Sequence, residues 1–421
     1  MINTNSIVSS YSPPFKIVIK YIGTAVLAFV LLTFLQLLEY ETITGHHFQP
    51  KILALTHIAT LGWITMTIFG ALFQLVPVVL EVKLFSEVLA ELQYWIYLIG
   101  AAGLVYGFWV FDSKNFIMPS AIVLNAAMLI FAFNMIMTFI RVKKWNITGY
   151  YLAAAVFYLI VTALAGLLLS INLYTPYIKI NHLQYLDLHA HIAFVGWVSF
   201  VVMGVAYKLI PMFTLSHKYS TKFALWAFVL INIGLLGIST VMHYENTTIF
   251  FYFFVTSIVV GIFLFLYQVY MIFRNRVRRK LDVGLELSVA AFIFFGISTL
   301  TGFITGVGNL SDVRNLSLIY GYLIVFGYLS MLIIGQLHKI LPFLRWYHKY
   351  SNKAGKDNVP MLKDMYSEKV GYSILYLMLS GLAVLTISFI LDIQVGVLIA
   401  FILFFTASIL FMINMITVLK R

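Results

Sequence analysis

One segment of 21 residues occurs three times in this chain, each time inside a long apolar run. The copies read HIATLGWITMTIFGALFQLVP, HIAFVGWVSFVVMGVAYKLIP and YLIVFGYLSMLIIGQLHKILP, and they begin at His57, His191 and Tyr322. Each copy, which we call the signature, has a glycine at its sixth position, an aromatic residue at its seventh, a second glycine at its fourteenth and a proline at its end. The copies begin 134 and 131 residues apart. This spacing indicates a tandem triplication of a unit of about 130 residues.

The long apolar runs place the chain in a membrane. With 62% hydrophobic and 10% charged residues, it lacks the polar surface of a soluble globular protein. About 20 apolar residues cross a bilayer as a helix, and the runs show no alternating barrel pattern. The hydropathy therefore predicts an all-α integral membrane protein with about twelve transmembrane helices. The predicted spans are 16–38, 51–80, 89–111, 116–140, 148–172, 183–213, 221–242, 247–273, 283–308, 312–344, 368–391 and 394–418.

The triplication extends beyond the signature to the whole chain. Each repeat ends in an apolar span that runs into basic residues, as in FNMIMTFIRVKK, YQVYMIFRNRVRRK and FMINMITVLKR. We therefore predict a single transmembrane domain over 1–421, built from internal repeats at approximately 16–144, 148–280 and 283–421. Each repeat contributes four helices and carries the signature on its second helix. Because equivalent helices are expected to make equivalent contacts, three four-helix units with pseudo-threefold symmetry follow.

The net charge of +12 follows the predicted topology and does not indicate a nucleic-acid-binding surface. Basic clusters come after spans four, eight, ten and twelve, as the positive-inside rule requires when both termini are cytoplasmic. Their expected neighbours are the anionic headgroups of the lipid bilayer, and no nucleic-acid partner is predicted. The polar first residues predict no cleavable signal peptide, so we expect the protein in the cytoplasmic (inner) membrane. The chain has no cysteine, which excludes disulfides, thiolate metal sites and iron–sulfur clusters.

Histidines inside the predicted spans are the candidates for chemistry, because an ionisable ring in lipid is costly and usually faces an interior site. His57 opens the first signature and is a candidate ligand, and the alternative is a neutral ring that is hydrogen-bonded to a neighbouring helix. Most other histidines are expected in loops, and one lies near the basic end of span ten, where its ring could reach the interface. They are His46, His47, His217, His243 and His348 in loops, and His338 on span ten.

The segment HLQYLDLHAHIAF of the second repeat holds further candidates. At about 100° per residue, His189 and His191 point to nearly opposite sides of a helix, so they would serve two separate sites. His182 shares a face with His189. Asp187 shares a face with His191, and its carboxylate is therefore expected to accept the second ring N–H of a ligating histidine. The alternative is an interfacial polar cluster at the outer headgroup boundary.

The third repeat has tyrosines where the second repeat has histidines. Tyr320 and Tyr322 occupy the positions of His189 and His191. A tyrosine can ligate ferric haem, although a tyrosine in such a span is more often a packing residue with a hydrogen-bonded hydroxyl. The sequence leaves both interpretations open.

These motifs resemble the catalytic subunit (subunit I) of the haem–copper oxidase superfamily, especially the C-family oxidases and the nitric oxide reductases. The resemblance covers nearly the whole chain, with twelve spans in three four-helix units and signatures on spans two, six and ten. THIATLGWITMTIFG is similar to the family's span two, whose histidine ligates the low-spin haem, and His57 matches that histidine. HAHIAFVGWVSFVVMGVAYKLIP is similar to span six, where the histidine that matches His191 binds the active-site copper.

The chain departs from the family at other ligand positions. Family members carry a histidine pair on span ten, one for each haem, where this chain has Tyr320 and Tyr322. They also carry two adjacent copper-binding histidines on span seven, whereas AFVLINIGLLGISTVM has none. The resemblance therefore implies a divergent member in which the oxygen-reducing site is incomplete and the cofactors are rearranged or lost.

The function expected from this resemblance is that of a membrane-embedded haem or metal protein that is not a standard terminal oxidase. The expected haem ligands are His57, His189, Tyr320 and Tyr322. The expected ligands for copper or another metal are His191, His182 and Asp187. The expected roles are electron transfer, response to nitric oxide or oxygen, or handling of haem or copper, with a redox or accessory membrane subunit as partner. Two alternatives remain, a cofactor-free transporter or membrane scaffold and an oxidoreductase with tyrosine-ligated haem, and the sequence identifies no catalytic residue.

Overall fold

The computed structural model describes residues 10–43, 48–178, 182–217, 219–241, 248–308, 315–353 and 358–421. Within these ranges the chain forms helices and no strand, and twelve helices are long and apolar enough to cross a membrane. These helices, α1 to α12 in chain order, confirm the predicted all-α membrane architecture and the number of spans. Their bounds are Phe15–Leu38, Pro50–Val79, Glu87–Val110, Ser113–Phe139, Ile147–Tyr174, His182–Thr214, Lys222–Val241, Thr248–Arg274, Val283–Val307, Leu316–Lys353, Glu368–Leu391 and Gln394–Lys420.

Five of these helices begin after a polar residue whose side chain accepts a hydrogen bond from the backbone three residues later. The caps of α3, α4, α5, α9 and α11 are, in that order, Ser86, Asp112, Asn146, Asp282 and Ser367. Each cap satisfies a backbone N–H that has no partner inside its own helix, which lowers the cost of placing a helix end near lipid. The local sequence therefore fixes where these five helices start.

Each signature contains a stretch of π-helix. The three stretches are Ile58–Thr65, Ile192–Ser199 and Leu323–Ser330, and each follows directly on the residue that opens its signature. A π-helix hydrogen-bonds each residue to the fifth residue along, and π-helical segments are frequent at functional sites. Because all three stretches have the same length and the same position, the repeated sequence adopts a repeated local structure.

The sixth-position glycines of the signatures allow a neighbouring helix to approach closely. A Cβ atom on Gly196 would lie 2.6 Å from Cγ of Tyr158 on α5, and a Cβ atom on Gly327 would lie 2.9 Å from Cγ of Phe294 on α9. These separations are too short for two carbon atoms in contact, so any larger side chain would force the helices apart. Close helix packing therefore explains these two glycines without a catalytic role.

The helices form two compact units. The first unit contains Met1–Val18 and Ile68–Arg279, and in it α3 packs on α4, α5 on α6 and α7 on α8. The second unit contains Ile19–Thr67 and Lys280–Arg421, and in it α9 packs on α10 and α11 on α12. The division falls within α1 and within α2, so the two compact units do not coincide with the sequence repeats.

Candidate functional site

The two signature histidines have the same ring orientation. The Nδ1–H of His57 donates to the backbone carbonyl of Leu53 at 2.7 Å, and the Nδ1–H of His191 donates to the backbone carbonyl of Asp187 at 2.7 Å. Each bond spans one helical turn, and each histidine directly precedes the π-helical stretch of its signature. With Nδ1 bonded to a carbonyl, Nε2 is the nitrogen that each ring can present to a metal, as is usual for histidine ligands.

The start of α6 differs from the predicted metal site. We expected the carboxylate of Asp187 to accept a ring N–H from His191, but the acceptor is the main-chain carbonyl of Asp187. No residue in the segment His182–His191 is buried. The ring of His182 contacts another side chain, since its Nδ1 lies 2.8 Å from Nδ2 of Asn172 on α5. This exposure fits the interfacial polar cluster, which was the alternative interpretation of the segment, better than an interior metal site.

His189 and Tyr320 occupy equivalent places in the second and third repeats. A Cβ atom on Gly166 of α5 would lie 3.0 Å from Cε1 of His189, and a Cβ atom on Gly302 of α9 would lie 2.7 Å from Cε2 of Tyr320. Each ring therefore packs directly against a glycine on the preceding helix. This contact gives both residues a packing role, and their predicted role as haem ligands stays a prediction.

Tyr322 takes part in hydrogen bonding and aromatic packing within the second unit. Its hydroxyl accepts a hydrogen bond from Nε2 of Gln36 at 3.2 Å. Its ring centroid lies 5.5 Å from that of Phe326, 5.8 Å from that of Phe389 and 5.9 Å from that of Phe401. Of the two interpretations that the sequence left open, a packing residue with a hydrogen-bonded hydroxyl describes these contacts better than a haem ligand does.

Aromatic side chains also connect the first and third signatures in the second unit. Phe29 of α1 stacks on Trp63 with ring centroids 4.6 Å apart, and it lies 6.1 Å from Phe326 of α10. The indole N–H of Trp63 donates to Oγ of Ser330 at 3.0 Å, so these side chains bring α2 and α10 into direct contact. Because the hydroxyl of Tyr322 is also engaged, the residues do not fit a haem held between two axial ligands on α2 and α10.

The residues do not fit the family's copper site either. That site uses one histidine on span six and two on span seven, and of these three positions the chain has a matching histidine at one, His191. Among the residues that the structure describes, no group of three or more His, Cys, Asp or Glu side chains could hold a metal ion. The role of His191, His182 and Asp187 as metal ligands therefore stays a prediction.

A buried polar group on α10 was missed by the sequence interpretation. We expected His338 to reach the interface, but it is 1% exposed. Its Nδ1–H donates to the carbonyl of Ile334 at 2.8 Å, and its Nε2 accepts from Nδ2 of Asn414 at 3.1 Å. Asn414 also bonds to both backbone polar groups of Ser367, the cap of α11. The sequence carries one signal for this group. Near the end of the first repeat, Asn134 occupies the position that Asn414 occupies in the third repeat.

The helix α10 continues further than the sequence predicted. The span was expected to end at residue 344, but it runs to Lys353, so His348 is helical and not in a loop. His217 lies in a loop, as predicted. The other three histidines that were assigned to loops fall outside the described residues; they are His46, His47 and His243.

The comparison with known proteins adds no relative. No protein-family model and no curated protein matches the chain. Membership of the haem–copper oxidase superfamily therefore stays a prediction that rests on the signatures. Of the predicted ligands, His57 combines partial burial with a ring orientation that suits ligation.

Proposed function

We propose that this protein is an integral membrane protein of the haem–copper oxidase type that binds haem through His57 and responds to a diatomic gas, nitric oxide or oxygen. The proposed location is the cytoplasmic membrane with both termini in the cytoplasm, and its support is the distribution of basic residues after even-numbered spans. This topology places His57 toward the outer side. The observation that carries the proposal is the hydrogen bond from Nδ1–H of His57 to the carbonyl of Leu53, one helical turn earlier. Because Nδ1 faces that turn, Nε2 of His57 faces away from it.

One histidine, His57, would hold the haem. Tyr322, at the family's second axial position, uses its hydroxyl to accept a bond from Gln36 and packs its ring among aromatic neighbours. A haem held by His57 as its single protein ligand would be able to bind a small gas molecule at its iron. This arrangement favours gas response over electron transfer, since the family's low-spin haem has two axial histidines. The carbonyl of Leu53 would orient the ligating ring and fix its tautomer.

We also propose that the three repeats are related by a pseudo-threefold axis. In support of this, the first two repeats make the same turn after the signature, with Glu81 at φ 52° and Leu215 at φ 53°, each four residues past the proline. The ends of α3 and α11 also match, because Phe111 and Asp392 both adopt the left-handed conformation with φ 52° and 57°. An experimental structure tests the symmetry, since the helices α2, α6 and α10 should interchange under one rotation.

A cofactor-free transporter or membrane scaffold is the second candidate, and polar side chains inside the second repeat favour it. The hydroxyl of Tyr158 donates to Oδ1 of Asn232 at 2.9 Å, which joins α5 to α7. One turn further along α5, the buried hydroxyl of Thr162 makes no hydrogen bond to a described residue. Polar groups within a span are costly, and they often line a pathway. Tyrosine-ligated haem has no such support, because the hydroxyl of Tyr322 is bonded to Gln36.

The proposal is tested by the absorbance of matched variants purified from haem-replete cells. His57→Ala should remove or shift the Soret band, because it deletes the axial nitrogen. His217→Ala is the matched control, since it removes the same side chain from a loop between α6 and α7 and should leave the band unchanged. A Soret band that is identical in His57→Ala and the wild type would contradict the assignment of His57. Protein with no Soret absorbance and no bound transition metal would leave the transporter or scaffold as the leading candidate.

A further inference from the structure

The connection between α10 and α11 exposes two adjacent apolar side chains. Met361 is 64% exposed and Leu362 is 42% exposed. The connection between α2 and α3 holds the same place in the first repeat, and there Leu80, Val82 and Leu84 are buried whereas the exposed residues between them are charged. The third repeat therefore presents an apolar surface at a place where the first repeat presents a polar one.

The two exposed side chains lie on a defined turn. The residues Leu362–Met365 form a short 3₁₀ helix, and Oδ2 of Asp364 accepts the backbone N–H of Met361 at 3.1 Å. Met365 is 0% exposed, so the turn is anchored to the protein at this residue while Met361 and Leu362 remain outside. The exposure of the apolar pair is therefore a property of the folded turn.

The contacts on either side of the turn place it at the depth of the membrane boundary. Before the turn, the carbonyl of Pro360 accepts from Nε1 of Trp346 at 2.7 Å. After the turn, the ring centroid of Tyr366 lies 5.2 Å from that of His338. Trp346 and His338 are 346 − 338 = 8 residues apart on α10, or about 12 Å along the helix axis. The apolar span predicted for α10 ends at residue 344, between these two levels, so the turn lies beside the boundary between apolar and polar α10.

The charged side chains near the turn fit a bilayer surface. Lys363 directly follows the apolar pair, Lys369 lies in the first turn of α11, and both are exposed. Of the two acidic residues nearby, Asp364 bonds to the backbone of Met361, and Glu368 is at the start of α11, where a helix favours negative charge. A lysine beside exposed apolar side chains is typical of segments in the membrane interface, where the ammonium group reaches the lipid phosphates.

We propose that the turn inserts Met361 and Leu362 into the lipid leaflet on this side of the membrane, with Lys363 at the phosphates of the lipid headgroups. The depth of the turn favours lipid over a water-soluble partner, which would have to reach the level of the last apolar residues of α10. Insertion removes both apolar side chains from water. It would also hold the end of α10 at a fixed depth, because Trp346 bonds to the residue before the turn. Insertion requires no haem, so it is independent of the proposed role of His57.

Spin labelling tests the insertion directly, because the chain has no cysteine and a single introduced cysteine gives one signal. Met361→Cys and Leu362→Cys carry a nitroxide in bilayers of phosphatidylethanolamine and phosphatidylglycerol. The nitroxide's collisions are measured with oxygen, which concentrates in lipid, and with a nickel chelate, which stays in water. The ratio of oxygen to nickel collisions should be several-fold higher at both positions than at Asn352→Cys, an exposed residue at the end of α10. Ile387→Cys, at a position that is 54% exposed on α11, gives the ratio for a label in lipid.

Two outcomes of this experiment would overturn the proposal. Ratios at Met361→Cys and Leu362→Cys equal to that at Asn352→Cys would mean that the turn lies in water. Low collision rates with both reagents would mean that protein covers the turn, either another part of the chain or a partner.

The methionine methyl groups of the unsubstituted protein give a second test that needs no label on the turn. The protein, with isotope-labelled methionine methyl groups, is studied by NMR in bicelles whose lipid carries a nitroxide near the start of its acyl chain. The Met361 signal should broaden several-fold more than that of Met365, which is 0% exposed, and each signal is identified by its loss in Met361→Leu or Met365→Leu. A Met361 signal that is broadened by a soluble gadolinium chelate but not by the lipid nitroxide would contradict insertion. This measurement decides even if the cysteine variants fail to fold.

Discussion

Replacing Asn414 by leucine removes three hydrogen bonds with little change in side-chain volume. Oδ1 accepts from Ser367 N–H at 2.9 Å, while Nδ2 donates to the Ser367 carbonyl at 3.1 Å and to Nε2 of His338 at 3.1 Å. Asn414 is 2% exposed, so water cannot readily replace these bonds. A hydrogen bond contributes about 1 kcal/mol net, and membrane-protein pairs average about 0.6 kcal/mol. We therefore expect Asn414→Leu to lower the free energy of unfolding by about 2–4 kcal/mol.

Asn134→Leu is the matched comparison, because Asn134 makes the same two bonds to Ser86, and the signature position that holds His338 in the third repeat holds Phe73 in the first. We expect it to lower the free energy of unfolding by about 1–3 kcal/mol, less than Asn414→Leu, since two bonds are lost and not three. The assay is reversible unfolding in mixed micelles by titration with a denaturing detergent, followed by tryptophan fluorescence.

Two results would refute this reasoning. A change below about 0.5 kcal/mol in both variants would mean that the amides do not stabilise the helix starts. A larger loss in Asn134→Leu than in Asn414→Leu would mean that the bond between Asn414 and His338 contributes nothing to stability.

Gly196→Ala should lower the free energy of unfolding by about 1–3 kcal/mol, because its Cβ would lie 2.6 Å from Tyr158, as the same titration can show. Gly23→Ala is its control, with nothing within 4 Å of the added Cβ, and should raise stability by about 0.5–1 kcal/mol. Tyr322→Phe should cost about 1 kcal/mol through the lost bond to Gln36. It should leave haem absorbance unchanged, and a lost Soret band would instead make Tyr322 a ligand. Purified protein supplied with an electron donor should consume no oxygen above background, and robust turnover with stoichiometric copper would contradict this.

Hydropathy predicted the twelve spans well because each span averages over about 20 apolar residues, so single polar residues do not obscure it. The same averaging explains the error at the end of α10. There the helix continues to Lys353 through a segment that contains Arg345 and Lys349, and hydropathy falls although the helix does not end. The π-helical stretches were not predicted either, because the hydrogen-bond register of a helix leaves no mark in an apolar pattern.

The candidate site was less predictable because its decisive contacts join residues far apart in the chain. The partner of Tyr322 is Gln36, 286 residues away, and nothing in either local sequence indicates that the two meet. The partner of His338 is Asn414, 76 residues away, so a histidine that was expected to reach the interface is buried. The internal repeats were the one source of such information, since they relate Asn414 to Asn134.

The most direct test of a single-histidine haem is the response of the reduced protein to a gas. Carbon monoxide or nitric oxide added to reduced, purified protein should shift the Soret band, and His57→Ala should abolish that shift while His217→Ala preserves it. Each result has a structural basis, because Tyr322 is bonded to Gln36 and the ring of His57 is oriented by Leu53. A haem spectrum that does not change with either gas, or purified protein that contains no haem, would contradict the proposed function.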